Sequence, residues 1–434
     1  MGGKKSAIYK LNGVIKNYDW GGKEFLSELL SYPNPQQQPM AEYWLGAHET
    51  ASSVIVTPDG DLDLNKFISI DSEEIVGKTV AKKFGRLPYL LKLLDVKDML
   101  SIQVHPSKHL AEVEFAKENA KGIPLNAPDR NYKDDNHKPE LMVALSDFWL
   151  IHGFKPVEKL RATIQPIPEL KPLLDVFDAT GYDQLYKTVM EMPQASVNQL
   201  LQPMLDRILP LYNQNQLKKD QEDFWAAKAA LTFSQPLSSI QHPVSSIQHP
   251  VSSLQHPVSS LQNPVKIDRG IFSIYFLNLL HLKKSEGIFQ DAGVPHAYLE
   301  GQNVEIMANS DNVLRGGLTT KHIDVKELMK NIKFEETIPI ILLPQKINDE
   351  EVYRTAAPDF KLSRFELFKE DRPSFESTTG EILLVMDGKI LLSSGTDQIE
   401  LDRGEAAFII NHRQISLKAL AHTNMYRASV PVHG

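Results

Sequence analysis

Residues 10–150 are filled with short apolar runs broken by Gly, Pro, Asp and Asn, the punctuation of many short strands. Two segments alternate with the period of two that a half-buried strand requires. In Leu100–Pro106, Leu100, Ile102 and Val104 fall on one face, while Ser101, Gln103 and His105 fall on the other. In His137–Leu145, Lys138 and Glu140 share a face. From Pro156 to Phe233 the period changes. VEKLRATI, YDQLYKTVMEM, SVNQLLQPMLDRILPLY and LKKDQEDFWAAKAALTF repeat apolar residues three and four apart, which predicts a block of amphipathic helices. Short strands are expected again from Ile271 to Val313, a helix over Val325–Ile332, and strands from Ile338 onward. Near the C-terminus, ILLVMDGKILLSS predicts a hairpin turning at Asp387-Gly388, and LDRGEAAFII predicts a further strand after a Gly turn.

Between the helical block and the second strand block lies a heptapeptide array, SSIQHPV, SSIQHPV, SSLQHPV, SSLQNPV, ending at Val265. Its Pro243, Pro250, Pro257 and Pro264 forbid a continuous helix. Units this short cannot each bury a core, so the array reads as an expanded connector. His242, His249 and His256 within it read as solvated rather than metal-ligating. The pattern as a whole predicts a mainly β chain with two sandwich or jelly-roll units around a helical insert. The boundaries read as 1–152 for the first part of one β unit, 153–265 for the insert and its array, 266–337 for the second part of that unit, and 338–434 for the second β unit.

Length supports this division, since 434 residues exceed what one core holds. The chain carries 47 basic and 55 acidic residues, a net charge of −8, with the basic residues scattered. That pattern gives no footprint for nucleic acid. There is no cysteine, which removes disulfides, thiolate nucleophiles and sulfur-ligated zinc and leaves nitrogen and oxygen donors for any metal. No apolar run approaches the length that spans a bilayer, so a cytoplasmic protein without membrane partners is expected.

Candidate chemistry centres on three stretches. Gln103 and His105 from one strand, Glu140 from another, and His296 at the end of a Gly-Val-Pro-His turn make two imidazoles, one carboxylate and one amide oxygen. Such a set suits zinc with a position left for substrate or water. One carboxylate leaves the Zn2+ site with net positive charge, as a Lewis acid needs. Two decoys fall away. Asp59–Asn65 begins like a calcium loop but has Leu64 where the turn needs Gly and Ile70 where the loop needs Glu. His109 follows Pro106 into what reads as a new helix, so it takes a structural role.

Ordered motifs along nearly the whole chain resemble the type I phosphomannose isomerases. They are Tyr18-Asp-Trp-Gly-Gly22, Ala41-Glu-Tyr-Trp-Leu-Gly46, Leu87-Pro-Tyr-Leu-Leu-Lys92, Gln103-Val-His-Pro106, Asn136-His-Lys-Pro-Glu140, Val294-Pro-His-Ala-Tyr298, Val304–Asn312 and Arg315-Gly-Gly-Leu-Thr319. The resemblance implies two cupin-like jelly rolls with an α-helical domain inserted in the first. It implies one Zn2+ per chain held by Gln103, His105, Glu140 and His296, and interconversion of mannose 6-phosphate and fructose 6-phosphate. Arg315 resembles the family's active-site arginine, whose fixed charge would stabilise an enediolate or hold phosphate. Lys138, beside Glu140, becomes a candidate general base or acid, with Glu305 and Asp311 as alternatives. Trp20, Lys92, Ser101, Tyr298 and Lys321 read as cleft or phosphate-binding residues. Thr319-Thr-Lys-His322 departs from the more usual Thr-Pro-Lys at the loop carrying Lys321. The expected partner is a small sugar phosphate, and a monomer is expected, with a dimer as the alternative. Two rival readings remain at this point: an iron oxygenase of the cupin type and a non-enzymatic sugar-binding or storage protein.

Overall fold

The computed structural model describes residues 6–236 and 265–431. The heptapeptide array, with His242, His249 and His256, lies outside the described residues apart from its final Val265. The chain is mainly β, with several sheets. The largest gathers eleven strands around one long strand, His296–Ala308. Gly301 divides that strand at φ +130, and a β-carbon there would come within 2.6 Å of the Asp147 carbonyl, so only glycine fits the bend. Before the bend, the strand pairs with Phe148–Phe154 and with Gln103–Val104. After it, the strand pairs with Tyr89–Val96 and with Glu140–Ala144. One strand thereby joins two walls, and the candidate donors come from both.

The second assembly is a nine-stranded sheet facing a four-stranded one. The nine-stranded sheet contains most of the strands between Gln345 and Ser429, and it is extended by Ile8–Asn12, Val54–Ile55 and Leu62–Asp63 from the other end of the chain. Its strand Glu381–Asp387 is apolar on both faces for a visible reason. Ile382 and Leu384 pack toward Leu91, Leu93, Leu141 and Val304 of the first assembly, whereas Leu383 and Val385 pack toward Ile390, Leu392 and Leu417 of the four-stranded sheet. The helices Val157–Ile164, Pro172–Glu191, Gln194–Asn213 and Glu222–Phe233 stand where the apolar spacing puts them. They share a core with Ile102, Val104, Ile151 and Phe154 of the sheet. The helix Val325–Asn331 also forms. Among the described residues, no helix is long and apolar enough to cross a membrane.

Four local expectations need correction. Asp387-Gly388 does not close a hairpin: Glu381–Asp387 pairs within the nine-stranded sheet and Lys389–Ser394 within the four-stranded one. Gly388 (φ +84) carries the chain between layers instead, because two apolar runs can pack across a core as readily as along a ladder. The run Gly270–Phe276 is a fully buried helix rather than a strand. A continuous apolar run has no polar face to reveal its period. Residues 10–150 also hold the short helices Leu64–Ile70, Ser72–Val76 and Lys78–Phe84, beside the helix Lys108–Ala120 that was expected after Pro106. Asp71 and Ser107 cap two of them by accepting from the backbone N–H groups of Glu74 and Leu110. Finally, the strand expected over Leu100–Pro106 is only Gln103–Val104. Alternation survives over 101–104, where Ile102 and Val104 are fully buried and Ser101 and Gln103 face a cavity, but Leu100 lines that cavity too instead of joining Ile102 and Val104.

Candidate metal centre

His105, Glu140 and His296 bring one ligand atom each to within 4.8 Å of one another, and all three are buried. Nε2 of His105 lies 3.3 Å from one Glu140 oxygen, and Nε2 of His296 lies 3.5 Å from the other. The opposite ring nitrogens are engaged: Nδ1 of His105 is 2.9 Å from the Asn312 carbonyl, and Nδ1 of His296 is 2.9 Å from the Val294 carbonyl. A carbonyl only accepts, so both Nδ1 atoms carry the proton and both Nε2 lone pairs face the carboxylate. The Nε2 atom of His105 accordingly makes no hydrogen bond, although it is fully buried. Lone pairs converging on a carboxylate repel one another unless a cation joins them. Backbone carbonyls that fix the outer nitrogen are the usual support of metal-bound imidazoles. The donor set therefore fits a divalent metal.

Sheet register places Gln103 beside this group. Asn278, His152, His296, Gln103 and Arg315 stand directly opposite one another on five neighbouring strands. Directly opposed residues share a face with β-carbons about 5 Å apart, so Gln103 sits between His296 and Arg315. Burial lowers His105 to about 4, with Lys138 and His296 adding to it against the pull of Glu140. The ring stays neutral, as a ligand must. For Glu140, burial pushes upward, yet the Lys138 ammonium at 3.2 Å and the His105 ring hold its carboxyl well below the usual range.

This cluster opens into a cavity of about 680 Å3 lined by Trp20, Lys92, Ser101, Gln103, Lys138, Glu140, His296, Tyr298, Glu305, Asp311, Arg315 and Lys321. Every residue singled out from the sequence therefore borders one space, except His105, which stands behind Glu140. Lys92 lies 3.3 Å from Glu305 and 3.8 Å from Glu42. Burial acts to lower its pKa, but the two carboxylates carry it above the ordinary lysine value. Burial and the nearby Glu140 charge raise Glu305, with Lys92 opposing. Tyr298 donates to Glu305 at 2.6 Å. Asp311 sits further out, 3.3 Å from His48. Burial would raise it, but the His48 hydrogen bond brings it below its ordinary value. Among the described residues, neither Arg315 nor Lys321 has a carboxylate within ion-pairing distance. Burial lowers both, and Arg315 lowers Lys321 further.

Residue-level reading missed several contributors. Glu42 touches Lys92 and accepts from the Trp44 indole. Asn312 holds His105 through its carbonyl and ties the Lys133–Asn136 turn through its side chain. His152 is buried beside His296 with neither ring nitrogen hydrogen-bonded. Glu42 and Asn312 lie inside the recurring motifs, which was their only signal.

Fold and site together define a β-sheet protein in which two buried histidines and a buried glutamate, a set that fits a divalent metal, stand beside a polar cavity. Residues 8–157 match the type I phosphomannose isomerase catalytic domain. The mannose-6-phosphate isomerase of Escherichia coli (strain K12) is 35% identical over 419 residues, covering 95% of this chain and 97% of that protein. The human mannose-6-phosphate isomerase is 31% identical, with 95% of each chain covered. The crystal structure of mannose 6-phosphate isomerase from Salmonella typhimurium bound to fructose 6-phosphate and zinc superposes with a TM-score of 0.82 at 32% identity, covering 98% of this chain and all of that one. The chain belongs to the type I phosphomannose isomerase family.

Proposed function

We propose that this chain interconverts mannose 6-phosphate and fructose 6-phosphate as a zinc-dependent aldose–ketose isomerase, passing through an enediol or enediolate. The observation that carries this reading is the meeting of His105, Glu140 and His296, with Gln103 in register beside them, on a cavity that also presents Arg315 and Lys321, neither of which has a carboxylate within ion-pairing distance among the described residues. Gln103, His105, Glu140 and His296 are the residues that would hold the zinc. When bound, zinc supplies a Lewis acid that draws electron density from the sugar oxygens as the proton moves.

The chain's own side chains do the rest. Isomerisation moves a proton between C1 and C2, so a group must take it from one carbon and return it to the other. Lys138, buried beside Glu140 and bordering the cavity, is the first choice, acting in the amine form that a divalent cation beside it would favour over the ammonium. Glu305 is the next, since its raised pKa keeps it nearer the working range of a general base. Asp311 is more remote at the rim. Arg315 stabilises negative charge that accumulates on the sugar, and Lys321 with Ser101 receives the phosphate. Trp20, Lys92 and Tyr298 shape and polarise the pocket, with Lys92 and Tyr298 both bound to Glu305.

The proposed architecture behind this site is a pair of cupin-like jelly rolls with the helical domain inserted in the first, divided at 1–152, 153–265, 266–337 and 338–434, with Ile8–Asn12 crossing to the C-terminal unit. A cytoplasmic monomer acting on a small sugar phosphate is the proposed setting. The test is turnover of mannose 6-phosphate before and after exhaustive chelation, then with zinc returned. Activity lost and regained with one zinc per chain is expected. A rate that survives metal removal, or none on this substrate with metal present, overturns the proposal.

A further inference from the structure

The loop Arg315–Lys321 brings its two cations to the cavity along an unusual backbone path. Leu318 sits at φ +52, in the left-handed region that a residue with a β-carbon adopts only when its surroundings force it. The residue is 1% exposed, so water does not serve its backbone. What serves it is Asp268. One carboxylate oxygen accepts from the N–H of Leu318 at 2.8 Å and from the N–H of Gly270 at 2.7 Å, and the other accepts from the N–H of Thr319 at 3.2 Å. Asp268 is itself buried, and among the described residues no cation lies within ion-pairing distance of it. Its charge is directed at the loop's amides.

The fit around this contact leaves no slack. A β-carbon on Gly270 would lie 2.5 Å from the Leu318 nitrogen, and one on Gly317 would lie 2.4 Å from the Gly270 α-carbon. Upstream of Leu318 the loop is tied to Ile102, by Gly316 N–H to the Ile102 carbonyl at 2.8 Å and by Ile102 N–H to the Gly317 carbonyl at 3.0 Å. Downstream, the bonds from Asp268 to Leu318 and Thr319 are the anchor, followed by Lys321 N–H to the Thr319 hydroxyl at 3.1 Å.

We propose that Asp268 is a positioning residue for catalysis, whose carboxylate holds the Arg315–Lys321 loop in its left-handed bend and so aims both cations at the substrate. The inference rests on the role given above to Arg315. Asp268 touches neither the donors nor the cavity, so its loss acts on the sugar phosphate through the loop while zinc binding is spared.

The test is a double-mutant cycle of Asp268→Ala with Arg315→Ala, read as kcat and KM on mannose 6-phosphate in the zinc-loaded full chain. Asp268→Ala alone is expected to raise KM and to lower kcat/KM about 10² -fold, the scale of a misaligned group, with zinc still at one per chain. In the Arg315→Ala background the loss should shrink to what misplacing Lys321 alone costs, and in a background lacking both Arg315 and Lys321 it should fall below about threefold, because the cations it aims are then gone. Asp268→Asn keeps one acceptor oxygen for Leu318 and Gly270 and should fall between wild type and Asp268→Ala. It also carries the cycle if the alanine variant fails to fold. Losses that multiply across the cycle, or wild-type constants in both Asp268 variants beside an impaired Arg315→Ala, overturn the role of Asp268. Unaltered constants in Arg315→Ala overturn the reading of Arg315 instead.

Discussion

The strands around the metal centre and the strands between Gln345 and Ser429 are both layered β-structure, yet they enclose different interiors. The first set buries Lys92, Glu140, His296 and Glu305 among its apolar side chains. Between the nine-stranded and four-stranded sheets the core is apolar, with Leu383, Val385, Ile390, Leu392 and Leu417 in contact. Its chief buried ionic group is Arg427, which forks onto Glu381 at 2.6 and 2.9 Å and also reaches Glu350. With Lys361 3.7 Å from Glu350, every charge in that cluster has its opposite, so it is complete without a ligand. In the first set, the imidazole lone pairs aimed at Glu140 are incomplete without a cation. An interior that closes on itself is structural, whereas one that leaves donors unmatched awaits a ligand.

That contrast can be broken from either side. Replacing Glu140 with Ala removes the carboxylate that joins His105 and His296; activity should fall by about three orders of magnitude or more, with zinc no longer retained through gel filtration. A variant that keeps both metal and rate would deny Glu140 its place. Replacing Arg427 with Ala leaves Glu381 buried and unpaired, a loss of about 3–5 kcal/mol visible as an earlier urea midpoint. The kcat of the molecules that remain folded should be unchanged, because Arg427 does not border the cavity. A large fall in kcat at full folding would erase the distinction between the two interiors.

A smaller effect sharpens the comparison through pH. His105 is lowered to about 4 and His152 to about 3, both chiefly by burial. Below the unfolded value of 6.5, the unfolded metal-free chain takes up protons that the folded chain refuses, so stability falls as pH drops from about 6.5 toward 4. The slope should approach about 1.4 kcal/mol per pH unit for each histidine. His152→Asn should remove roughly one proton's worth of that slope in urea titrations of the metal-free protein. An unaltered slope would place the acid sensitivity elsewhere.

Much of this was legible in the residue pattern. Periods of three and four marked the insert helices, and alternation correctly faced Ser101 and Gln103 away from Ile102 and Val104. The converging His105, Glu140 and His296 were readable because imidazole and carboxylate are conspicuous in a chain without cysteine. Illegible were the features that depend on what lies opposite. Asp387-Gly388 looks like a hairpin turn until the two strands are seen joining different sheets, and Gly270–Phe276, apolar but for the buried Ser273, carried no polar face from which to read a period. His152 and Asp268 were equally silent, because the contacts that give them a place, with His296 and with Leu318, are made across long stretches of sequence.

The sequence by itself determined which segments turn as helices, which faces of short strands are apolar, and which side chains are chemically able to bind a divalent ion. Those properties are local, set by side-chain period and functional group. Only the tertiary structure decided that a strand bent at Gly301 would set His296 beside Gln103 and within reach of Glu140, and that Asp268 would hold the loop bearing Arg315. Register and loop anchorage are set by packing between distant segments, and no stretch of chain carries that information alone.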